Sequence, residues 1–266
     1  MKAFKKAFIA LISLLGLSLT SCTNYGTYAD ADKYLVGDQT YTGVLKELDI
    51  DWVSGQVTLI EDTTSAEIKI VEESDVELIE AEKVHSYFNE GTLKIKYWES
   101  GHTSHYSFIT RNKHIYVTYP ALEKLTVDLT SGKFDSKKVT ASDIKVNLTS
   151  GSVDLDEVVC ESMTTNVTSG NVNIDKITCN TYEANLTSGS VTIGASIANE
   201  MTFGVTSGKV DLAIPESGAT VSFTKTSGSL HLDRQDYTKN ADGQYVYGDG
   251  ACKVRIKVTS GKAIIR

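Results

Sequence analysis

The chain has 266 residues, and its 34 acidic residues outnumber its 26 basic ones, which gives a formal net charge of −8. This balance argues against nucleic acid as a partner and against broad attraction to an anionic membrane surface. Only two prolines occur and the body of the chain has no low-complexity tract, so one continuous fold is expected.

The N-terminus has the features of an export signal. Lysines within the first six residues precede an apolar run over 7–19, a length typical of a secretory signal and short for a membrane-spanning helix. The run ends in Leu19-Thr20-Ser21-Cys22, which resembles the lipobox of bacterial lipoproteins. The resemblance implies a signal peptide over residues 1–21 and a lipid on Cys22, with an ordinary signal peptide as the alternative. We therefore expect an extracytoplasmic protein attached to a bacterial membrane through the lipid on Cys22.

Residues 22–44 are polar and without a clear period, which predicts a lipid-anchored tether. From residue 45 onward, short stretches alternate polar and apolar residues, as in Leu48–Val53 and Ile115–Tyr119. Period two indicates strands with one buried face, so residues 45–121 are predicted to form irregular coils of a β structure.

A phrase ending in Thr-Ser-Gly recurs through residues 122–266, at separations of 19, 19, 19, 19, 20 and 33 residues. Apolar residues alternate on both sides of it, as at Leu148 and Val153 around Gly151. A fixed period of this size is typical of a solenoid. The sequence thus predicts an all-β, single-domain parallel β-solenoid over 45–266, with coils of about 19 residues that turn at each Thr-Ser-Gly corner. The corner glycines are Gly132, Gly151, Gly170, Gly189, Gly208, Gly228 and Gly261.

Two further columns follow from aligning the repeats. Asn147, Asn166 and Asn185 each precede the corner glycine by four residues, which predicts an outward ladder of amides, although each also fits the N-glycosylation pattern. Cys160 and Cys179 each follow the glycine by nine residues and are predicted neighbours in adjacent coils. Stacked free thiols and a disulfide both remain open for this pair.

An acidic surface is predicted after the corner, where Asp154, Asp156 and Asp175 fall close together on the outward face. Stacked carboxylates repel one another unless a cation or a lysine offsets them, and calcium favours oxygen ligands of this kind. A solvated acidic face is the simpler interpretation. No metal or other cofactor is therefore expected.

The repeat is interrupted by a loop insertion at 233–252, in which Tyr237, Tyr245 and Tyr247 are candidates for a recognition surface. A hairpin that caps the solenoid, turning at Asp242-Gly243, is the alternative.

Two charged features surround this insertion. Lys225 interrupts an otherwise apolar column, and we expect its stem to lie beside the loop with the ammonium in water. The final segment, 253–266, places lysine and arginine outward on its first strand, which is typical of a cap at the end of a sheet.

The serial Thr-Ser-Gly corners, the stretch Leu48–Gly55 and the closing Tyr245–Gly250 before a final Thr-Ser-Gly strand together resemble the DUF4097 family of bacterial envelope proteins, which are described as adhesins. The resemblance covers residues 40–266. It implies a β-solenoid at the cell surface and brings no catalytic residue with it.

These observations favour a non-enzymatic cell-envelope lipoprotein, an adhesin or surface-binding module whose partner is a glycan or an envelope protein. One alternative is an envelope-stress sensor or scaffold that binds a protein or peptide, since solenoid faces often do so. A carbohydrate-active β-helix enzyme is the other alternative. It is disfavoured because the acids follow the repeat columns and do not gather beside a basic group, so no catalytic residue is predicted.

Overall fold

The computed structural model describes residues 26–102 and 113–266, so the signal sequence and Cys22 lie outside the described residues. The described chain consists of β-strands and two short 3₁₀ turns, Ala31–Lys33 and Glu80–Glu82. No helix in these two ranges is long and apolar enough to cross a membrane. The strands are β1 (Leu35–Val36), β2 (Gln39–Thr42), β3 (Glu47–Glu61), β4 (Glu67–Ser74), β5 (His85–Asn89), β6 (Thr92–Lys96), β7 (Lys113–Tyr119), β8 (Lys124–Thr140), β9 (Asp143–Leu148), β10 (Ser152–Val159), β11 (Ser162–Val167), β12 (Asn171–Leu186), β13 (Ser190–Val205), β14 (Lys209–Leu212), β15 (Gly218–Lys225), β16 (Ser229–Leu232), β17 (Tyr237–Lys239), β18 (Tyr245–Gly248), β19 (Cys252–Val258) and β20 (Lys262–Ile265).

Successive repeats stack in parallel and in register. Asp143 of β9 pairs with Ser162 of β11, and Ser152 of β10 pairs with Asn171 of β12. Each pair is separated by one repeat length, so one repeat forms one rung, with strand segments before and after its Thr-Ser-Gly corner. The predicted all-β parallel solenoid is confirmed.

Apolar columns run through the interior of the stack. Leu148 is 2% exposed and Val153 is fully buried, and each is in register with its equivalents in the rungs above and below. Full burial of such a side chain contributes about 1.5–3 kcal/mol. Because each column is shared between neighbouring rungs, no rung buries its own apolar face alone. One column includes Leu129, Leu148, Val167, Leu186, Val205 and Val258.

The corners are joined by the backbone. The amides of Thr149 and Ser150 donate to carbonyl oxygens of the preceding corner region at 2.9 and 2.8 Å, while their side chains face solvent. Gly151 has a φ of +133°, and a Cβ on it would lie 2.1 Å from the carbonyl oxygen of Gly132. Among the seven corner glycines only Gly151 has a positive φ, but a Cβ on any of them would lie within 3 Å of a carbonyl oxygen in the neighbouring rung. The repeated glycine is therefore required by the close approach of two rungs.

The order of the rungs departs from the order of the chain at the C-terminal end. β19 pairs in parallel with β13 on one side and β15 on the other, and β20 lies in the same way between β14 and β16. The last segment of the chain is thus inserted between two earlier rungs. The expectation that 253–266 caps the solenoid is wrong, because β15 and β16 form the terminal rung.

This arrangement explains the break in the apolar column. Lys225 stands in register with buried Val258, yet Lys225 itself is exposed because its rung is the last one. A lysine is tolerated where the column meets solvent. The expected hairpin is confirmed in the insertion, where β17 pairs antiparallel with β18, and β18 continues the sheet along the start of β15.

At the other end, β3 extends the solenoid with a corner of its own. Gly55 pairs with Gly132 in the parallel register of β3 and β8. The opposite edge of β3 pairs with β6 and β7, and the antiparallel strands β5 and β4 continue the sheet beyond these. The irregular part of the sequence thus forms a cap.

The segment expected as a tether is part of this cap from residue 26 onward. β1 pairs antiparallel with β5 and β2 with β4, while Tyr34 is only 8% exposed. The hydroxyl of Tyr41 also donates to the carbonyl oxygen of Ser86 at 3.1 Å. The expectation of a free spacer is therefore corrected for residues 26–44. Both strands are short and lie at a sheet edge, and β2 is mostly polar, so no apolar period marks them in the sequence.

Candidate binding surface

The strands that follow the corners expose one continuous polar surface. At its N-terminal end it presents five half-buried side chains, Gln56 and Thr58 of β3, His114 and Tyr116 of β7, and Asp135 of β8, which we call the polar cluster. Their sequence neighbours point into the core, so the alternation of the strands forces these five outward.

Hydrogen bonds order the polar cluster. Gln56 Nε2 donates to Asp135 Oδ1 at 2.6 Å, and Thr58 Oγ1 donates to Asp135 Oδ2 at 3.1 Å. His114 Nε2 lies 2.8 Å from Thr58 Oγ1. Because the single hydroxyl proton of Thr58 is directed at Asp135, His114 Nε2 must be the donor, which leaves Nδ1 as an acceptor. Burial lowers the pKa of His114 below its ordinary value, so the ring is neutral at neutral pH.

The polar cluster also has an aromatic side. The ring of Tyr116 packs on the ring of His114 with centroids 3.9 Å apart, and the Tyr116 hydroxyl donates to Glu73 Oε2 at 3.3 Å. A flat aromatic surface therefore lies beside a carboxylate whose orientation is fixed by two donors. Together they offer stacking and hydrogen bonding to one polar ligand.

The acidic residues predicted from the sequence continue this surface. Asp154 follows Asp135 in register, accepts a hydrogen bond from Asn173 Nδ2 at 2.8 Å, and has Lys133 Nζ 3.6 Å away. Asp156 and Asp175 are exposed. Within 26–102 and 113–266, no group of three or more His, Cys, Asp or Glu side chains is placed to hold a metal ion. An amide and a lysine therefore offset the charge of Asp154.

The amide ladder lies on the strand segments that precede the corners and is confirmed. Asn166 donates to Asn147 at 2.8 Å, and Asn185 donates to Asn166 at 3.2 Å. Asn147 in turn donates to Asp128 at 2.6 Å, which begins the ladder. These amides satisfy one another along the stack, so the ladder is a structural feature of this sheet.

The three tyrosines of the insertion pack against one another, away from the polar cluster. Tyr247 is fully buried, and its ring centroid lies 5.7 Å from that of Tyr237, which lies 5.1 Å from that of Tyr245. Arg234 covers the Tyr247 ring at 5.2 Å. Burial raises the pKa of Tyr247 to about 12. Tyr237 and Tyr245 alone remain partly accessible.

The predicted cysteine neighbours are free thiols. Cys160 and Cys179 meet in adjacent rungs, and the hydrogen bond between their side chains raises the pKa of the Cys160 thiol. Cys252 is free as well, and burial raises its pKa to about 11. Of the two alternatives for Cys160 and Cys179, the structure has the stacked thiols.

A buried lysine fixes the strand that carries His114. Lys113 is 1% exposed, and its Nζ lies 2.8 Å from Glu72 Oε1 and donates to the carbonyl oxygens of Glu82 and Tyr97 at 2.6 and 2.5 Å. It also lies 5.0 Å from the centroid of the Trp52 ring. Burial is the main reason that its pKa is lowered to about 8, and Glu72 opposes that shift. The polar cluster therefore rests on a network of buried polar groups.

Sequence reasoning did not single out His114, Thr58 or Lys113. The alternation around Ile115 and Val117 places His114 outward and Lys113 inward, and this was the available signal. Their partners were not evident because the contacts of His114 with Thr58 and of Lys113 with Glu72 join β7 to β3 and β4, which are far away in the chain.

The fold and its outward side chains define a parallel β-solenoid with a polar surface along the strands that follow the corners. The chain belongs to the Toastrack DUF4097 family, which matches residues 45–263. Among curated proteins, none matches the chain.

Solved structures with TM-scores above 0.5 share this fold at low sequence identity. A "putative adhesin" from Bacteroides fragilis is 13% identical with a TM-score of 0.55, and one from Parabacteroides distasonis is 15% identical with a TM-score of 0.55. Each match covers 87% of this chain and 97% of the other. A "putative lipid binding protein" from Parabacteroides distasonis is 16% identical with a TM-score of 0.48, covering 86% of this chain and 97% of the other.

Proposed function

We propose that this protein is a non-enzymatic cell-envelope lipoprotein that binds a hydroxyl-rich ligand, a surface glycan, through the polar cluster. The observation that supports this proposal most directly is the Asp135 carboxylate, which two hydrogen bonds hold in place beside the packed rings of His114 and Tyr116. A carboxylate accepts hydrogen bonds from sugar hydroxyls, and an aromatic face covers the apolar side of a sugar ring. Asp154 and Asn173 extend the same chemistry to the next rungs, which suits a ligand of repeated units.

The order of the hydrogen bonds supports binding over catalysis. In a hydrolytic triad the histidine stands between the hydroxyl and the carboxylate, so that it removes the hydroxyl proton. Here Thr58 stands between His114 and Asp135 and directs its proton at the carboxylate. The histidine in this arrangement donates to the hydroxyl and does not activate it.

Glycan binding is tested with the full chain on an array of bacterial and host glycans and peptidoglycan fragments. We expect saturable binding to at least one of them, lowered about tenfold or more when His114→Ala or Asp135→Ala removes a ligand contact. Lys145→Ala, an exposed change on β9 before the corner at Gly151, serves as the control and should retain binding. Equal binding by all variants, no binding at all, or release of new reducing ends would each contradict the proposal.

Attachment to the membrane is proposed through a lipid on Cys22, because the lipobox is the anchoring signal in the sequence. In a bacterial host we expect Cys22→Ser to abolish incorporation of a labelled fatty acid and to move the protein from the membrane to the soluble fraction. Ser21→Ala keeps a small residue before the cysteine and should leave both properties intact. Label retained by Cys22→Ser would show that the lipid is elsewhere.

A further inference from the structure

A second surface feature lies at the N-terminal cap, apart from the polar cluster. The turn between β1 and β2, the end of β4 and the segment after it enclose an open groove of about 470 Å³. Its walls include Val36, Val76 and Leu78, and its polar lining includes Asp38, Glu72 and Lys83. This volume is within the range of known ligand sites.

The apolar walls are uncovered in the described chain. Val76 is 43% exposed and Val36 is 37% exposed, and Ile79 next to the groove reaches 61%. Exposed aliphatic side chains that gather around a concave surface, as these do, are typical of an interaction site. A partner with apolar side chains would remove them from water.

The floor of the groove is rigid. The Glu72 carboxylate accepts hydrogen bonds from the Val84 amide at 2.9 Å and pairs with buried Lys113. The Glu72 amide donates to Asp38 Oδ1 at 2.8 Å, which ties the turn between β1 and β2 to β4. A partner would therefore meet a preformed surface, which reduces the cost of ordering on binding.

The rim determines the charge of the partner. The rim consists of Asp75 and Glu77, which alternate in sequence with the lining residues, and of Glu80, two residues after Leu78. All three are exposed and form no ion pair with any residue in the described ranges. Lys83 is the single basic residue of the lining. Such a rim repels an anionic membrane and attracts a basic partner.

We propose that this groove docks a basic peptide segment of a partner protein, in which apolar side chains alternate with lysine or arginine. The apolar side chains lie against Val36, Val76 and Leu78, and the basic ones meet the carboxylates of Asp75 and Glu77. The groove and the polar cluster lie on opposite faces of β4, because Glu72 and Ser74 line the groove while Glu73 between them accepts the hydrogen bond from Tyr116.

The probe is a short fluorescent peptide that alternates lysine and leucine, titrated with the full chain and followed by anisotropy. We expect saturable binding that weakens with salt, and about tenfold weaker binding by the variant Asp75→Lys with Glu77→Lys. The matched control, Asp156→Lys with Asp175→Lys, changes the net charge equally on a distant face and should bind as the parent does. Val76→Ser with Leu78→Ser tests the apolar walls and should also weaken binding about tenfold.

Three outcomes would overturn the proposal. Equal weakening by the two charge-reversed variants would mean general attraction to an acidic protein. An unchanged affinity of the groove variants, each shown by its melting temperature to be folded, would place the peptide elsewhere. If the serine variant instead loses cosedimentation with phosphatidylcholine vesicles and keeps peptide binding, the groove is a lipid-contact surface.

Discussion

Gly151→Ala is expected to lower the free energy of unfolding by about 4 kcal/mol or more. Losses of this size result from severe packing or backbone defects. The added methyl group would lie 2.1 Å from the Gly132 carbonyl oxygen, which is backbone and has no rotamer to change. Relief of the clash requires two rungs to separate. That separation would weaken the amide bonds from Thr149 and Ser150 and open the apolar column at Leu148.

A second glycine shows what alanine costs at a positive φ where no clash occurs. Gly243 at the hairpin turn also has a positive φ, +74°, but a Cβ there would have nothing within 4 Å. Gly243→Ala should therefore cost only the left-handed penalty of about 1–2 kcal/mol. Denaturant unfolding followed by circular dichroism measures both variants. Equal losses would mean that the approach of the Gly132 carbonyl oxygen adds nothing to the cost of the backbone angle at Gly151.

The solenoid could be predicted from the sequence because every rung uses the same columns and the same corner, so the chemistry repeats at a fixed spacing. The position of the last segment, between two earlier rungs, could not be predicted. A parallel strand pairs equally well with any neighbour that has the same alternation, and the insertion at 233–252 only shows that something intervenes before the final corner. Lys225 was the local signal, since a lysine in an apolar column fits a rung with one open side.

The polar cluster was harder to predict than the fold. Alternation alone would place His114 and Tyr116 outward, but their contacts with Thr58 depend on β7 stacking on β3. The sequence between these strands follows no repeat, so no register can be read from it. Residues 26–44 were wrongly expected to form a free tether, because short polar edge strands such as β2 lack the apolar period that identifies a strand.

Lys113→Met is expected to lower the free energy of unfolding by about 3–5 kcal/mol, because it leaves the Glu72 carboxylate buried without its counter-charge. Combining it with Glu72→Leu should recover much of that loss, since an apolar pair of similar volume often replaces a buried ion pair without cost. The two tryptophans of the chain, Trp52 and Trp98, both pack around Tyr97 beside this lysine. Urea unfolding followed by their fluorescence therefore reports on this end of the solenoid.

The same lysine should give the parent protein a distinctive pH dependence. Its pKa is lowered from 10.5 to about 8 in the folded state, so between these values the unfolded chain binds more protons than the folded one. Stability should thus rise with pH in this window, by up to about 1.4 kcal/mol per pH unit. Cys252, with its raised pKa, opposes the rise above pH 9, but it does so equally in the parent and in Lys113→Met. The difference between the two unfolding free energies, measured from pH 7.5 to 9.5, should therefore grow with pH. A constant difference would mean that Lys113 keeps its proton throughout, held by Glu72 more strongly than burial disfavours the charge.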